Sequence, residues 1–320
     1  MPVQVFNSNP VGATVNQFLS TTGQGTPPPV ATTRALYGTS SDDGNQGVER
    51  LQNDVYGRQM ELHRVFSSAY NPDPRPLLQY DKDEGITSVY SMKVPSNTLS
   101  TPVLQRPQLF DQHKASMVAH GRFTVCTVHH EPENDGDTPE NFEARYLAYW
   151  NAMRGGDNPV PNVWVGPCMM AVTSTSANRA AWRALMDTLP MDILLVDGYD
   201  PLARRSFSNV FTWWGQKAVD RGVPWMVTET GTHGTPTQRA AWIDGMGVFA
   251  RKSDIISQSL RGIIWYDAGQ GQNAASTGWY IDRAFDDGWL IENNQAVPGP
   301  GDPPYILDTL SPPAVVRYME

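Results

Sequence analysis

The stretch Phe123–Asp137, FTVCTVHHEPENDGD, decides how this chain is read. It opens with the β-formers Phe123, Val125, Thr127 and Val128. It then breaks into two histidines and a run of acidic residues around Pro132. Branched and aromatic side chains suit a pleated, buried surface, whereas a cluster of carboxylates does not. The pattern is therefore a buried strand that opens at its C-terminal end into a polar loop. In barrels of alternating strands and helices, that end of the strands carries the chemistry. Val223–His233, VPWMVTETGTH, has the same form and ends its apolar run on Glu229.

Outward from these two stretches, apolar β-like runs alternate with helix-like segments, the pattern of a parallel sheet built from βαβ units. Eight strands are expected, at 34–38, 62–66, 86–94, 123–129, 163–170, 193–199, 224–228 and 260–267. Helices are expected at 45–58, 76–80, 104–120, from Thr138 to Gly155, and at 178–189, 210–221 and 237–253, with a short closing helix at 284–290. Thr138-Pro139-Glu140 reads as a helix start, with Thr as N-cap, Pro at the first helical position and an acid in the first turn. Eight such units in about 260 residues match a (β/α)8 TIM barrel. Residues 1–32, polar and carrying Pro27-Pro28-Pro29, read as an extended N-terminal arm. The barrel then spans 33–296, and 297–320 is a proline-rich C-terminal tail.

Composition narrows the function. The net charge is −9 and the 24 basic residues form no block, so a nucleic-acid or anionic-membrane surface is disfavoured. A neutral polar partner such as a polysaccharide or oligosaccharide fits better, and some of the 10 tryptophans could pack on sugar rings. The N-terminus lacks the pattern of a signal peptide, and no apolar run is long enough to span a membrane. Cys126 and Cys168 both fall in expected strands and read as buried free thiols.

Ionisable and polar residues collect at the C-terminal ends of the expected strands: Tyr37 and Ser40, Arg64, Ser91 and Lys93, His129 to Glu133 (His130 and Glu131 among them), Asp197 and Tyr199, Glu229, then Trp265 and Asp267. Glycosidic hydrolysis needs two carboxyl groups flanking the scissile bond, one protonated and one ionised. Glu131 and Glu229 end the fourth and seventh strands, across the barrel mouth from each other. His130 and Arg64 could set their protonation states apart. Glu133 competes with Glu131 but is carried further from the strand end by Pro132. Metal binding is the main rival reading of HHEPEND. However, neighbouring strand residues point to opposite faces, and HExxH is absent because position 134 is Asn. GxSxG, GxGxxG and GxxxxGK are also absent, so no metal, nucleotide or other cofactor is expected.

These motifs, taken in order, resemble the family 26 glycoside hydrolases and their bacterial and phage relatives. The resemblance covers about residues 33–290 and rests on Ser91-Met92-Lys93, His130-Glu131-Pro132-Glu133-Asn134, Asp197-Gly198-Tyr199, Glu229-Thr230-Gly231 and Trp265-Tyr266-Asp267. It implies Glu131 as general acid/base and Glu229 as nucleophile of a retaining mechanism. It also implies that His130 and Tyr199 orient or bind substrate around them. Pro132-Glu133 departs from the family's usual residues, so mannan is not assumed as substrate. Arginine outnumbers lysine 19 to 5, as in a GC-rich genome such as that of an actinobacterial phage. The expectation is a virion component, a phage tail protein attached to other tail proteins through the arm, that degrades a cell-surface or cell-wall polysaccharide. A glycan-binding tail module without hydrolysis and a cytoplasmic glycosidase are the alternatives.

Overall fold

The computed structural model describes residues 35–41, 44–56, 59–67, 70–94, 110–156, 158–171, 176–200, 205–232, 236–267, 289–292 and 295–298. The expected arm, most of the tail and the segment at 95–109 lie outside the described residues.

Nine parallel strands form one sheet: β1 (Leu36–Ser41), β2 (Leu62–Ser67), β3 (Thr87–Met92), β4 (Thr124–Val128), β5 (Val163–Val165), β6 (Cys168–Met170), β7 (Leu194–Asp200), β8 (Trp225–Thr232) and β9 (Leu260–Asp267). Their order is β5-β4-β3-β2-β1-β9-β8-β7-β6. The two terminal strands are halves of one run broken at Gly166-Pro167. The first half pairs with β4 and the second with β7. Pro167 has no N–H for a ladder. Gly166 sits where an added Cβ would lie 2.1 Å from the Ile193 carbonyl oxygen, so only a glycine allows this crossing. Counted as one broken strand, Val163–Met170 closes the ring, and the barrel has the eight strands expected.

The helices are α1 (Gly44–Arg50), α2 (Arg75–Glu84), α3 (Asp111–His120), α4 (Pro139–Arg154), α5 (Ser176–Thr188), α6 (Phe207–Asp220), α7 (Pro236–Ala250) and α8 (Ile255–Ser259). None of the described helices is long and apolar enough to cross a membrane. The Thr138 N-cap forms as expected, its hydroxyl accepting from the Asn141 N–H at 3.2 Å. Two expectations are corrected. The helix at 45–58 is α-helical only to Arg50 and continues as a π-helix over Leu51–Tyr56, with residues 57–58 outside the described residues. Of the expected closing helix at 284–290, residues 284–288 lie outside the described residues, while Trp289 and Leu290 belong to a strand. That strand, β10 (Trp289–Glu292), pairs antiparallel with β11 (Gln295–Pro298).

Strand alternation sorts the core into two layers. Leu36, Leu62, Val89, Val125, Cys168, Leu195, Met226 and Ile264 fill the barrel interior. A larger layer joins the outer faces of the strands, including Tyr90, Val196 and Val227, to helix residues such as Phe142, Trp182, Phe211 and Trp242. Burying one such side chain contributes roughly 1.5–3 kcal/mol. Register is fixed by this division, since a one-residue slip would exchange the two faces of a strand. Cys126 and Cys168 are buried free thiols, one in each layer.

Candidate active site

The inward residues of the upper strand ends converge on Glu229. On β7 the alternation points Asp197 and Tyr199 inward, while an added Cβ at Gly198 would strike Phe211 of α6. On β8 the same alternation would turn Thr228 and Glu229 to opposite faces. The register instead shifts by one: Val196 pairs with Val227, but Asp197 pairs with Glu229. The ladder to β9 shifts over the same residues. Such a bulge places one extra residue on β8 and re-aims the side chains beyond it. Thr228 therefore donates inward to Asp197 Oδ1 at 2.6 Å, and Glu229 also faces the interior.

Beneath them lies Arg64 from β2, fully buried. Its guanidinium grips Asp197 through Nη1–Oδ1 at 3.0 Å and Nη2–Oδ2 at 3.3 Å, and reaches Glu229 Oε1 at 3.6 Å. The Cys168 thiol donates to Asp197 Oδ2 at 3.1 Å. The Tyr199 hydroxyl donates to Glu229 Oε2. Asp197 is thus surrounded by donors, and Glu229 has a cation on one oxygen and a phenol on the other.

The opposite wall is the loop after β4. His129 and Glu131 take left-handed backbone conformations, with φ of 54° and 52°. For non-glycine residues this is strained, and it ends the strand's alternation. His129 turns away to the Val94 carbonyl, 3.1 Å from its Nδ1. His130 turns in and bonds Ser91 Oγ through Nδ1 at 2.5 Å, with Phe66 packed 5.3 Å from its ring. Glu131 points into the site, with Oε2 accepting from the Asn134 amide at 3.2 Å and Oε1 without a hydrogen-bond partner. Glu133 accepts from the Met170 N–H at 2.7 Å.

Glu131, Asp197 and Glu229 each bring a carboxylate oxygen to within 4.8 Å of the other two. One guanidinium cannot neutralise three carboxylates in a poorly hydrated site, so a proton is retained. Burial, and then the charge of Asp197, push the Glu131 carboxyl up to about 8. Burial and Asp197 also hold Glu229 well above the ordinary carboxyl range, although Arg64 and the Tyr199 hydroxyl oppose them. Glu131 has the Asn134 amide and the charge of Arg64 in that role, so both carboxyls stand raised and the pair shares the retained proton. Burial, reinforced by Arg64, holds His130 well below its ordinary range, so its imidazole is neutral. Burial pushes Glu133 up to about 8 as well. The three carboxyls are the grouping that could hold a metal ion among the described residues. Arg64 already supplies positive charge to two of them, and a metal would face that guanidinium.

The structure brings together five of the residues expected in the site: Glu131, Glu229, Arg64, His130 and Tyr199. Lys93 lies beside them but pairs with Asp135 at 3.0 Å, pinning the loop. Tyr37 and Trp265 are not brought to the site. Both are buried in the layer between sheet and helices, because alternation turns them outward on β1 and β9. The inward residue of β9 is Tyr266, whose ring lies 5.9 Å from that of Tyr199. Asp267 ends β9 in register with Ser41, and its side chain lies outside the described residues. Asp197 and Ser91, expected only as polar residues at strand ends, join the site, and so does Phe66, which the sequence did not single out. Asp197 and Ser91 sit in two of the motifs that carry the family resemblance.

A comparison with protein-family models finds no match, and a comparison with curated proteins finds none either. Among solved structures, the chain is similar to the β-glycosidase BGL167, with 13% identity over 91% of this chain and 98% of that one and a TM-score of 0.56. It is also similar to a GH128 subgroup VI exo-β-1,3-glucanase from Aureobasidium namibiae, with 11% identity over 80% and 95% and a TM-score of 0.53. A glucosidase from Croceicoccus marinus gives 17% identity and a TM-score of 0.52, over 74% of this chain and 60% of that longer one. At these identities the likeness establishes the fold, an α/β barrel of the TIM type.

Proposed function

We propose that this chain is a retaining glycoside hydrolase, with Glu131 as general acid/base and Glu229 as nucleophile. The observation that carries the reading is the approach of their carboxyl oxygens to within 4.8 Å, with Arg64 and Tyr199 on one carboxyl only. Retaining pairs stand about 5–5.5 Å apart, whereas inverting pairs need about 6.5–9.5 Å to admit a water. The names of the structures it resembles, a β-glycosidase, a glucanase and a glucosidase, support glycan cleavage.

In this reading the protonated Glu131 gives its proton to the glycosidic oxygen as that bond breaks. The ionised Glu229 attacks the anomeric carbon and forms a glycosyl ester. Arg64 and Tyr199 favour the ionised form of Glu229 and orient it. Glu131, now a carboxylate, takes a proton from water as the water attacks the ester. Glu229 leaves ionised and Glu131 is protonated again. Neutral His130, fixed by Ser91, contributes a polar edge to the sugar rather than charge. Cleavage of wall glycans from actinobacteria, read as released reducing ends, tests the activity. Loss of turnover in Glu131→Gln and Glu229→Gln is expected, with glycan binding kept. Binding without turnover in the unaltered protein would favour the glycan-binding module.

The finer part of the proposal is a virion setting, supported by the excess of arginine over lysine, 19 to 5, and by the proline-bearing segment 1–32. Mass spectrometry of purified phage particles should find the chain among the tail proteins. Its restriction to the host's cytosolic fraction would favour the cytoplasmic glycosidase.

A further inference from the structure

The break in the fifth strand has a consequence for Glu131. In a parallel ladder, a residue that donates its N–H to one carbonyl of the neighbouring strand offers its own C=O to the N–H two residues further on. Glu131 donates to the Cys168 carbonyl at 2.9 Å, so its own carbonyl should accept from Met170. It does not. The left-handed conformation of Glu131 turns that carbonyl into the following turn, where it accepts from the N–H groups of Asn134 at 3.0 Å and Asp135 at 3.3 Å. The Met170 N–H would be left without an acceptor at the rim of the barrel. The Glu133 carboxyl takes it, Oε1 accepting at 2.7 Å.

We infer that Glu133 is a positioning residue for Glu131: its side chain replaces the missing ladder carbonyl, closes the barrel between β4 and β6, and holds the acid/base carboxyl at its working distance from Glu229. Two stitches then fix the loop to β6, the backbone bond at Cys168 and the side-chain bond at Met170. The turn between them is free to carry Glu131 in its strained conformation. This also separates the two glutamates of the loop. Glu131 aims at Asp197 and Glu229, while Glu133 is engaged with the backbone of the neighbouring strand. The inference rests on the glycosidase reading for its kinetic consequence and on hydrogen-bond geometry alone for its structural one.

The test compares Glu133→Gln with Glu133→Ala in the full chain. A glutamine amide oxygen accepts from an N–H as a carboxylate does, and it cannot carry a proton to substrate. Glu133→Gln should keep kcat on the cleaved glycan within about threefold, since the acceptor is retained. Glu133→Ala should lower kcat about 10–100-fold with KM little changed, as a misplacement of about 1 Å does. Hydrogen exchange of the Met170 amide, followed by NMR, should be fast in Glu133→Ala and protected in Glu133→Gln and the unaltered protein. Equal loss of kcat in both variants would overturn the inference, because the ionisable carboxyl itself would then be required. Unchanged Met170 protection in Glu133→Ala would overturn it too. If the unaltered protein cleaves no glycan, the glycosidase reading fails. The Met170 exchange still decides whether Glu133 closes the ladder.

Discussion

Arg64→Met removes the guanidinium at the floor of the site and keeps most of the side-chain volume. Arg64 and Asp197 are both fully buried, and the guanidinium also stands 3.6 Å from Glu229. At an effective dielectric of about 20, unit charges at that separation interact by roughly 4–5 kcal/mol. Asp197 keeps Thr228 and Cys168 as donors after the change, so only part of this is lost at Asp197. Breaking one side of a buried pair typically costs about 3–5 kcal/mol, and that is the loss expected here. It should appear in urea unfolding at neutral pH, and as a fall in Tm of about 6–10 °C at roughly 2 °C per kcal/mol. Adding Asp197→Asn to Arg64→Met should recover at least about 2 kcal/mol relative to additivity, because a neutral amide no longer needs the cation. A loss below about 1 kcal/mol, or strictly additive effects, would refute the view that Arg64 is the charge on which the carboxyl cluster depends.

The same geometry predicts further outcomes. The Glu131 carboxyl titrates near 8 in the folded chain against an ordinary 4.5, so its contribution to stability is full below about 4.5 and is lost as pH rises through about 8. Glu131→Gln should therefore match the unaltered protein at pH 4.5 and exceed it in stability at pH 8–9, as read by denaturant midpoints across pH. The basic limb of the kcat/KM profile should fall near pH 8 and vanish in the residual activity of Glu131→Gln. Gly38→Ala should unfold at markedly lower urea, because the new Cβ would lie 2.2 Å from the Leu62 carbonyl oxygen; a loss under about 1 kcal/mol would contradict the close approach of β1 and β2. Thr138→Ala should cost about 1 kcal/mol with activity unchanged, as the loss of an N-cap does.

The strands were legible because each is a run of β-formers that stops at a polar residue, and hydrophobic burial enforces that pattern. Glu131 and Glu229 were legible for the same reason. What escaped depends on backbone irregularities that leave little mark on composition. The bulge at Thr228–Glu229 lets consecutive residues face inward. Simple alternation also had no anchor for its phase on β9, so Trp265 was placed in the mouth where Tyr266 stands. The break at Gly166-Pro167 was readable as a Gly-Pro pair but not as the seam of the barrel. Asp197 was visible as a strand-end acid; its partners come from β2, β6 and β8, and only the closed ring brings them together. The resemblance to family 26 rests on short motifs, and no family model matches the chain to extend it.

The central claim is that Glu131 and Glu229 act as a retaining pair. The most direct measurement is time-resolved NMR of the anomeric proton at the reducing ends first released from a susceptible wall glycan, before mutarotation. The account predicts that the anomer formed first has the configuration of the linkage cleaved, and that Glu229→Gln releases none. Release of the opposite anomer, or undiminished release by Glu229→Gln, would contradict it.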